Sequence, residues 1–319
     1  MKIPQYSLDG LGGEFKVTQE LEQAFASYFG VKHCVLVTSG TVALFLALRA
    51  VGAKKVAIPP LTMFGSATAA ELAGCEIVFV SGNTLPPDVD TYMHVSLNGR
   101  DCDIEEIVRL NPKVTIIEDA CQSFGSKVNG KYLGTFGKIG CFSFSPHKII
   151  SAGNGGCIVT NDDELARTVR KLKNFGREFG GADQHDEIGY NFKFTDIQAS
   201  FMAPQFSDIA SRLNKKVTLY QQYYEKLKDI MRPHAGVPWF VDIYVEKRDE
   251  LATFLKTKEI GTRTMYPLVT TQEPFLKYST YGDMSADTQY SDQGLWLPSS
   301  LSLTDDEIEY VIESVQSWR

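Results

Sequence analysis

Short apolar runs alternate with helix-compatible stretches through the first two hundred residues. The runs are three to five residues long and lie at 34–37, 56–58, 77–80, 114–118, 140–144 and 157–160. Strands that alternate with helices are typical of a mostly parallel sheet with helices on both faces. The alternation therefore predicts an α/β domain.

Two helices can be placed in this part of the chain. Leu21, Phe25, Tyr28 and Phe29 recur at helical spacing, which predicts an amphipathic helix that ends at Gly30. The segment 41–50 is apolar on nearly every face, and a helix with this pattern is buried.

The pattern changes after about residue 200. Apolar residues step by three and four from Phe206 to Leu227, which predicts one long amphipathic helix. A strand at 239–245, a helix at 248–258 and a closing helix follow, and Thr304 with Glu307 forms a capping box for the last. We predict a large α/β domain at 1–205 and a smaller C-terminal α+β domain at 206–319, which begins with the long helix.

Charge and apolar content exclude several classes of protein. Thirty-two Lys and Arg against thirty-nine Asp and Glu give a formal charge of −7, whereas a nucleic-acid surface needs a clustered basic stripe. The opening residues lack the apolar core of a secretory signal, and no uncharged apolar stretch approaches the roughly 18 residues of a membrane span. We expect a cytoplasmic protein that binds neither nucleic acid nor membrane.

The cysteines and histidines do not suggest a metal site. Six cysteines occur without any CxxC spacing and read as reduced core residues, namely Cys34, Cys75, Cys102, Cys121, Cys141 and Cys157. His94, His185 and His234 have no metal-ligand spacing, so no metal is expected.

Three weak signals lie after predicted strands. Residues 38–41 (TSGT) join a strand to the buried helix, where backbone N–H groups and the helix dipole favour an anion. Asp119 ends a strand, at the sheet edge where ligands of open α/β sheets bind. Lys148 follows the strand 140–144 and precedes a glycine-rich turn. Each signal alone is more often an ordinary turn, a solvated acid or a surface lysine.

Together the three groups match the needs of pyridoxal 5'-phosphate (PLP). Its phosphate needs N–H and hydroxyl donors, and its pyridine nitrogen needs an anionic partner that keeps it protonated. Its aldehyde needs an amine with which to form a covalent bond. The combination therefore predicts PLP as the cofactor.

Longer motifs occur in a recognisable order. They are TSGTVAL at 38–44, PPLT at 59–62, EDACQSFG at 118–125, CFSF at 141–144 with Lys148 and GNGG at 153–156, and GYNFKFTDIQA at 189–199. With these motifs the chain resembles, almost end to end, the DegT/DnrJ/StrS family of sugar aminotransferases. The resemblance implies the aspartate-aminotransferase-like, type I fold of PLP-dependent transferases.

The resemblance also implies roles for residues around the cofactor ring. Lys148 is implied to bond to the cofactor and then to act as general base and acid. Asp119 is implied to hold the pyridine nitrogen protonated, and Gln122 to lie near the ring. The family commonly has an aromatic residue that stacks on the ring at the position of Met63. Since Phe64 comes one position later, either Met63 packs on the ring or the turn is shifted.

Phosphate binding is implied for a second group of residues. Gly40 and Thr41 would donate backbone N–H groups to the phosphate, and Ser143 would add its hydroxyl. In the family the asparagine of the GYN motif reaches the phosphate from the neighbouring subunit. Asn191 therefore implies a homodimer with shared active sites.

The chain departs from the family pattern at several points. Asn154 stands where glutamate is usual, and Lys193 where arginine is common. Only seventeen residues separate Val80 from Asn98, which is short for the strand and helix expected there, and 81–90 has the composition of a loop. The helix that normally precedes the first motif is also expected to be missing. These changes leave the substrate less constrained than the cofactor.

The leading hypothesis is a PLP-dependent aminotransferase that moves an amino group from L-glutamate to a keto-sugar nucleotide of the 3- or 4-keto-6-deoxy type. Two half-reactions at one site make the scheme ping-pong.

Amination of a cyclitol ketone remains open, as does a PLP-binding regulatory or assembly subunit without turnover. Sugar dehydration, which in the family uses histidine instead of the lysine, is a further alternative, although Lys148 and not His147 has the family's spacing to Gly153. A nicotinamide-binding fold is set aside because the glycines at 10–13 follow no convincing strand.

Overall fold

A computed structural model describes residues 16–100, 103–178 and 184–319. Three features of the sequence analysis lie outside these ranges: the glycines at 10–13, the N-terminal helix that is expected to be missing, and Cys102. No helix within the described ranges is long and apolar enough to cross a bilayer. Within the same ranges, no three His, Cys, Asp or Glu side chains converge in a way that could hold a metal ion.

The strands form a large sheet, a small sheet and a hairpin. In chain order they are β1 (His33–Val37), β2 (Lys55–Ile58), β3 (Glu76–Val80), β4 (Thr91–Val95), β5 (Thr115–Asp119), β6 (Lys127–Val128), β7 (Lys131–Tyr132), β8 (Ile139–Ser143), β9 (Gly156–Thr160), β10 (Val241–Tyr244), β11 (Arg263–Thr264), β12 (Ser279–Tyr281) and β13 (Gly294–Leu297).

The helices pack against both sheets. They are α1 (Lys16–Phe29), α2 (Gly40–Val51), α3 (Phe64–Ala73), α4 (Ile104–Leu110), α5 (Asp163–Lys173), α6 (Asp196–Ser207), α7 (Ile209–Leu227), α8 (Arg248–Thr257), α9 (Ser285–Gln293) and α10 (Asp305–Trp318). Short 3-10 turns lie at Leu97–Gly99, Val269–Thr271 and Glu273–Phe275.

The large sheet has eight strands in the order β1-β9-β8-β5-β4-β2-β3-β12. Strand β9 runs antiparallel to both its neighbours, β1 and β8, while the other pairs are parallel. Helices α2, α3 and α5 pack on one face, and α1, α4 and α6 with the β6–β7 hairpin pack on the other. The predicted helix-covered, mostly parallel sheet is confirmed.

Helix α2 shows why the site lies where it does. Its residues from Ala43 to Leu48 are all at most 6% exposed, as the all-round apolar pattern predicts. The hydroxyl of Ser39 accepts the N–H of Val42 at 3.1 Å and fixes the start of the helix, and Gly52, at φ 69°, ends it. The N-terminus of a rigid, buried helix is thereby held at the carboxyl end of β1.

The C-terminal region contains the sheet β10-β13-β11, packed against α7, α8 and α10. The capping box of Thr304 and Glu307 is present at the start of α10. The predicted long helix was placed wrongly at its start, since Asp208, a poor helix former at φ −101° and ψ 18°, separates α6 from α7. Phe206 belongs to α6 and packs edge-on against Phe25, 4.5 Å between ring centroids, in the core of the large sheet.

The segment between β3 and β4 is short because it lacks a helix. Residues 81–90 form neither helix nor strand, whereas the strand β4 is present and pairs with β2 and β5. Val89 and Leu85 pack against α4 and help to cover the sheet there. Strand β12 adds residues of the C-terminal region to the edge of the large sheet beside β3. The domain boundary at 205/206 stays a prediction.

Candidate active site

A cavity of about 1020 Å³ opens at the carboxyl ends of the central strands. It is lined by residues of both the large sheet and the C-terminal region. The lining includes seven of the nine residues for which the sequence implied a role in cofactor binding: Gly40, Thr41, Met63, Asp119, Gln122, Ser143 and Lys148. Phe64 and Asn191 lie outside it.

The predicted phosphate turn is closely packed. A Cβ atom at Gly40 would lie 2.8 Å from both Cys121 Sγ and Ser143 Cβ, so any larger residue would push α2 away from β5 and β8. Gly156 approaches the turn from β9, where a Cβ would meet the backbone of Ser39 at 2.5 Å. Glycine at both positions lets the strand ends and the start of α2 converge, and the positive end of the helix dipole then faces the cavity.

Asp119 ends β5 with its side chain on the cavity side and is 6% exposed. Its Oδ2 accepts the hydroxyl of Ser66 at 2.7 Å, and its Oδ1 accepts the N–H of Cys121 at 3.1 Å. Thr62 in turn hydrogen-bonds Ser66 at 2.8 Å. The carboxylate is thereby held in one orientation, as an anion that must serve a ring nitrogen has to be.

Glu118, one residue earlier, points to the opposite face of the sheet. Its carboxylate accepts backbone N–H groups from Gly134, Phe136 and Gly137, each at 2.6 Å. Burial raises its pKa to about 7, against the opposing effect of these three bonds. Glu118 thus fastens a loop, and Asp119 alone faces the cavity.

Lys148 is half-buried in the cavity wall, and its Nζ lies 3.3 Å from the centroid of the Trp239 ring. Burial lowers the pKa of Lys148 to about 8, and the charge of Arg263 acts in the same direction. Cys121 and Asp119 act in the opposite direction. The exposed His147 also lines the cavity, and its carbonyl oxygen accepts the Trp239 Nε1–H at 2.8 Å.

Met63 and Phe64 take different directions at the start of α3. Met63 lines the cavity, and its Sδ accepts the N–H of Gly65 at 2.9 Å. The ring of Phe64 packs edge-on against Phe275, 5.0 Å between centroids. Of the two ring-stacking alternatives, the geometry therefore favours Met63.

The other residues named from the sequence, Gln122, Asn154 and Asn191, lie in three different environments. Gln122 is buried and accepts the backbone N–H of Asn98 at 3.0 Å through its Oε1. Asn154 lines the cavity, and its carbonyl accepts the side-chain amide of Gln198 at 2.7 Å. Asn191 is exposed and forms an isolated bridge with Asn174.

The sequence analysis missed an aromatic wall contributed by the C-terminal region. Phe240 and Trp296 stack at 3.8 Å between ring centroids, and Tyr266 meets Trp296 edge-on at 5.2 Å. The guanidinium of Arg263 lies 4.9 Å from the Trp296 centroid, and Trp239 continues the wall toward Lys148. The residues GTR at 261–263 and YP at 266–267 also resemble the family's pattern, and they are the one sequence signal that points to these positions.

Lys216, on α7, supports the same wall. Its Nζ donates to the carbonyl oxygens of Trp239 at 2.8 Å and Ser299 at 2.5 Å. Burial lowers its pKa to about 8. The ammonium thereby ties the segment before β10 to the loop after β13.

Solved structures show which class of protein has this fold. An aminotransferase of the DegT/DnrJ/EryC1/StrS type from Brucella abortus matches with a TM-score of 0.87 at 26% identity, covering 95% of this chain and 90% of that one. The chain thus has the type I fold of PLP-dependent transferases.

Sequence comparison identifies the family. The profile of the DegT/DnrJ/EryC1/StrS aminotransferase family matches residues 11–316, and the chain belongs to this family of PLP-dependent enzymes. The chain is 33% identical to a GDP-perosamine synthase of Escherichia coli O157:H7, across 94% of this chain and 89% of that protein. It is 30% identical to a UDP-N-acetyl-3-dehydro-alpha-D-glucosamine 3-aminotransferase of Acidithiobacillus ferrooxidans, across 90% and 85%.

Proposed function

We propose that this aminotransferase holds PLP in the cavity and transfers the amino group of L-glutamate to a keto-sugar nucleotide, with the ketone at C3 or C4 of a 6-deoxy sugar. One observation carries the proposal: a helix N-terminus, a fixed carboxylate and a lysine with a lowered pKa line the same cavity. These are the anion donor, the ring partner and the amine that the cofactor requires.

The residues present fit the cofactor at both its ends. Gly40 and Thr41 offer the N–H groups of the first turn of α2, which have no acceptor within the helix, and Ser143 offers a hydroxyl. Asp119, with an oxygen already fixed by Ser66, would hold the pyridine nitrogen. Met63 and Gln122 would lie along the ring. When bound, PLP supplies an electron sink for the carbanion at the donor carbon.

Lys148 would carry out the proton transfers. An amine with a pKa near 8 is partly unprotonated at neutral pH, and it can therefore accept a proton and return it. Arg263 and the low-dielectric wall keep this value below that of an exposed lysine. The same lysine would form the covalent link to the cofactor aldehyde.

Charge and relatives support an anionic sugar substrate. Lys148, Arg212, Lys216 and Arg263 line the cavity, and Asp119 is the acidic side chain among its described lining residues. Both named relatives take their names from sugars joined to a nucleoside diphosphate, and one name specifies a dehydro, or keto, sugar. A dianionic diphosphate suits such a cavity.

A homodimer with shared sites would complete the arrangement. Asn191 is exposed and lies outside its own chain's cavity. An exposed amide of this kind is free to reach the phosphate in a partner's cavity. A cytoplasmic location without nucleic-acid or membrane partners, and a large domain that ends at residue 205, remain part of the proposal.

The test is the visible spectrum of the purified protein with PLP, before and after L-glutamate. We expect the absorption band of lysine-bound PLP and its loss on glutamate, as the amino group moves to the cofactor. Borohydride reduction followed by peptide mass spectrometry should locate the cofactor on Lys148. Lys148→Ala should abolish the protein-bound band.

His147→Ala is the matched control, because dehydration in this family would rely on a histidine. The His147→Ala variant should keep both the band and its response to glutamate. A cofactor trapped at another residue would contradict the role of Lys148. A band that glutamate leaves unchanged would contradict glutamate as donor, and lack of amination with any keto-sugar nucleotide would favour a regulatory subunit.

A further inference from the structure

The ring face of Trp239 lies against the side-chain amine of Lys148 in the cavity. Lys148 Nζ is 3.3 Å from the centroid of Trp239, a contact at which an ammonium is attracted by the ring quadrupole. The Trp239 Nε1–H donates to the His147 carbonyl at 2.8 Å. This hydrogen bond fixes the Trp239 ring against the turn that carries Lys148.

The buried side chain of Asn98 holds the backbone at Trp239 in place. Asn98 Oδ1 accepts the N–H groups of Trp239 at 2.9 Å and Phe240 at 3.0 Å. Its Nδ2 donates to the Phe240 carbonyl and to Asp242, both at 3.1 Å. All four bonds cross from the large sheet to the C-terminal region, so one fully buried side chain sets where Trp239 stands relative to Lys148.

The backbone of Asn98 is itself held from two sides. Its N–H donates to Gln122 Oε1 at 3.0 Å, and its carbonyl accepts His234 Nε2–H at 2.6 Å. His234 accepts the N–H of Gly236 through Nδ1, which assigns the neutral tautomer, and burial lowers the pKa of His234 to about 4. Asn98 has φ 54°, a left-handed conformation that asparagine adopts more readily than most residues.

We infer that Trp239 is a catalytic residue, which stabilises the protonated amine of Lys148 through its ring face, and that Asn98 is the positioning residue that keeps the ring there. The inference rests on the proposed function for the part that Lys148 plays. Whenever Lys148 is released from the cofactor, the ring would favour its protonated form.

Other charged groups face the same amine and act in both directions. Asp119 favours the ammonium, whereas burial and the charge of Arg263 favour the neutral amine. The Trp239 indole is uncharged and acts in the same direction as Asp119. A neutral ring can do so without forming a competing ion pair that would hold Lys148 away from the substrate.

The test measures the titration of Lys148 in the protein without cofactor. The pH dependence of its acylation by acetic anhydride, followed peptide by peptide by mass spectrometry, gives the pKa of this one lysine. Trp239→Leu should lower that pKa by about 0.5 to 1.5 units, the range that a cation–π contact provides. Trp239→Phe loses the same hydrogen bond to His147 but keeps a ring, and it should recover part of the shift.

Two results would overturn the role of Trp239: an unchanged or higher pKa in Trp239→Leu, or equal values in the Leu and Phe variants. The second would show that the lost hydrogen bond, and not the ring, matters. These readouts do not depend on turnover. If the two Trp239 variants shift the pKa of Lys148 as expected but glutamate leaves the PLP spectrum of the wild-type protein unchanged, the proposed function fails and the role of Trp239 stands.

Asn98→Gly tests the positioning role without imposing backbone strain, because glycine accepts a positive φ. It should shift the Lys148 pKa in the same direction as Trp239→Leu, by a smaller amount. Ser126→Ala is the matched control, since Ser126 bonds the backbone of Val237 but not that of residues 239 and 240. An unchanged pKa in Asn98→Gly, or an equal shift in Ser126→Ala, would overturn the assignment of Asn98.

Discussion

The cavity has two walls that differ in chemistry and in origin. The wall contributed by the large sheet carries small and polar groups, with Gly40 at a helix start, Asp119 at a strand end and Lys148 in the loop after β8. The wall contributed by the C-terminal region is aromatic and cationic, with Trp296 stacked on Phe240 and the guanidinium of Arg263 above it. We call them the polar wall and the aromatic wall.

The difference indicates a division of labour. The polar wall offers the groups that a single cofactor needs at fixed places, and it has little freedom because the space around Gly40 cannot hold even an added Cβ atom. The aromatic wall offers flat apolar faces and one guanidinium without an acidic partner among the described residues, which suits a variable anionic substrate. Changes in the polar wall should therefore affect chemistry. Changes in the aromatic wall should affect substrate binding, except at Trp239, whose ring contacts Lys148.

The largest expected effect comes from Asp119→Asn in the polar wall. Asparagine can still bond to Ser66 and Cys121, but a neutral partner no longer favours a protonated pyridine nitrogen. The rate of the glutamate half-reaction should fall about a hundredfold or more, while the cofactor stays bound. Stopped-flow spectra in a single turnover measure this rate. A rate near that of the wild type would contradict the role of Asp119, and with it the claim that the polar wall carries the chemistry.

The residues of the polar wall could be predicted from the sequence because each of them follows a strand in a short contiguous motif. A parallel sheet brings the carboxyl ends of its strands to one edge, so 38–41, Asp119 and Lys148 could be placed together before the structure was known. The identity of the ring-side residue at 63 or 64 could not be predicted, because it depends on which residue begins α3.

The aromatic wall could not be predicted for two physical reasons. Its residues come from separate short segments that meet only when β10, β13 and β11 pair. Strand β13 is buried at every residue and β11 has two residues, so neither has an alternation that would indicate which side chains face a cavity. Hydrogen bonds between distant segments, such as that of Asn98 with Trp239, leave no local pattern.

Arg263→Ala should have a smaller effect, confined to binding and to one titration. Loss of a charge-assisted hydrogen bond should raise the concentration of the anionic substrate needed for half-saturation about tenfold. Because the charge of Arg263 lowers the pKa of Lys148, that pKa should rise above about 8, opposite to the effect of Trp239→Leu. Steady-state kinetics with each substrate and the acylation titration measure the two effects.

Arg263→Lys is the matched control for this change. It keeps the charge, and should therefore keep the pKa of Lys148 low, but it lacks the planar fork that binds an anion through two bonds. A fall in the single-turnover rate at saturating glutamate, without loss of affinity, would instead place Arg263 with the chemistry of the polar wall.

Glu118→Gln should have the smallest effect on turnover, although Glu118 is the neighbour of Asp119. Its carboxylate lies on the far side of the sheet, where a glutamine amide would leave one of its three backbone N–H groups without an acceptor. We expect an unchanged half-reaction rate and a loss of about 1–3 kcal/mol in the free energy of unfolding at acidic pH. Denaturant unfolding at several pH values measures the loss.

The pH dependence should separate the two neighbouring acids further. The pKa of Glu118 is raised from 4.5 to about 7 in the folded state, so between these values the unfolded chain releases a proton that the folded protein keeps. The wild-type stability contributed by this group therefore falls as the pH rises from about 4.5 to 7, and Glu118→Gln lacks that slope. The deficit of the variant should be largest below about pH 4.5, shrink as the pH rises from 4.5 to 7, and stay constant above pH 7. A deficit that grows with pH would mean that the three backbone N–H groups outweigh burial and hold Glu118 as an anion.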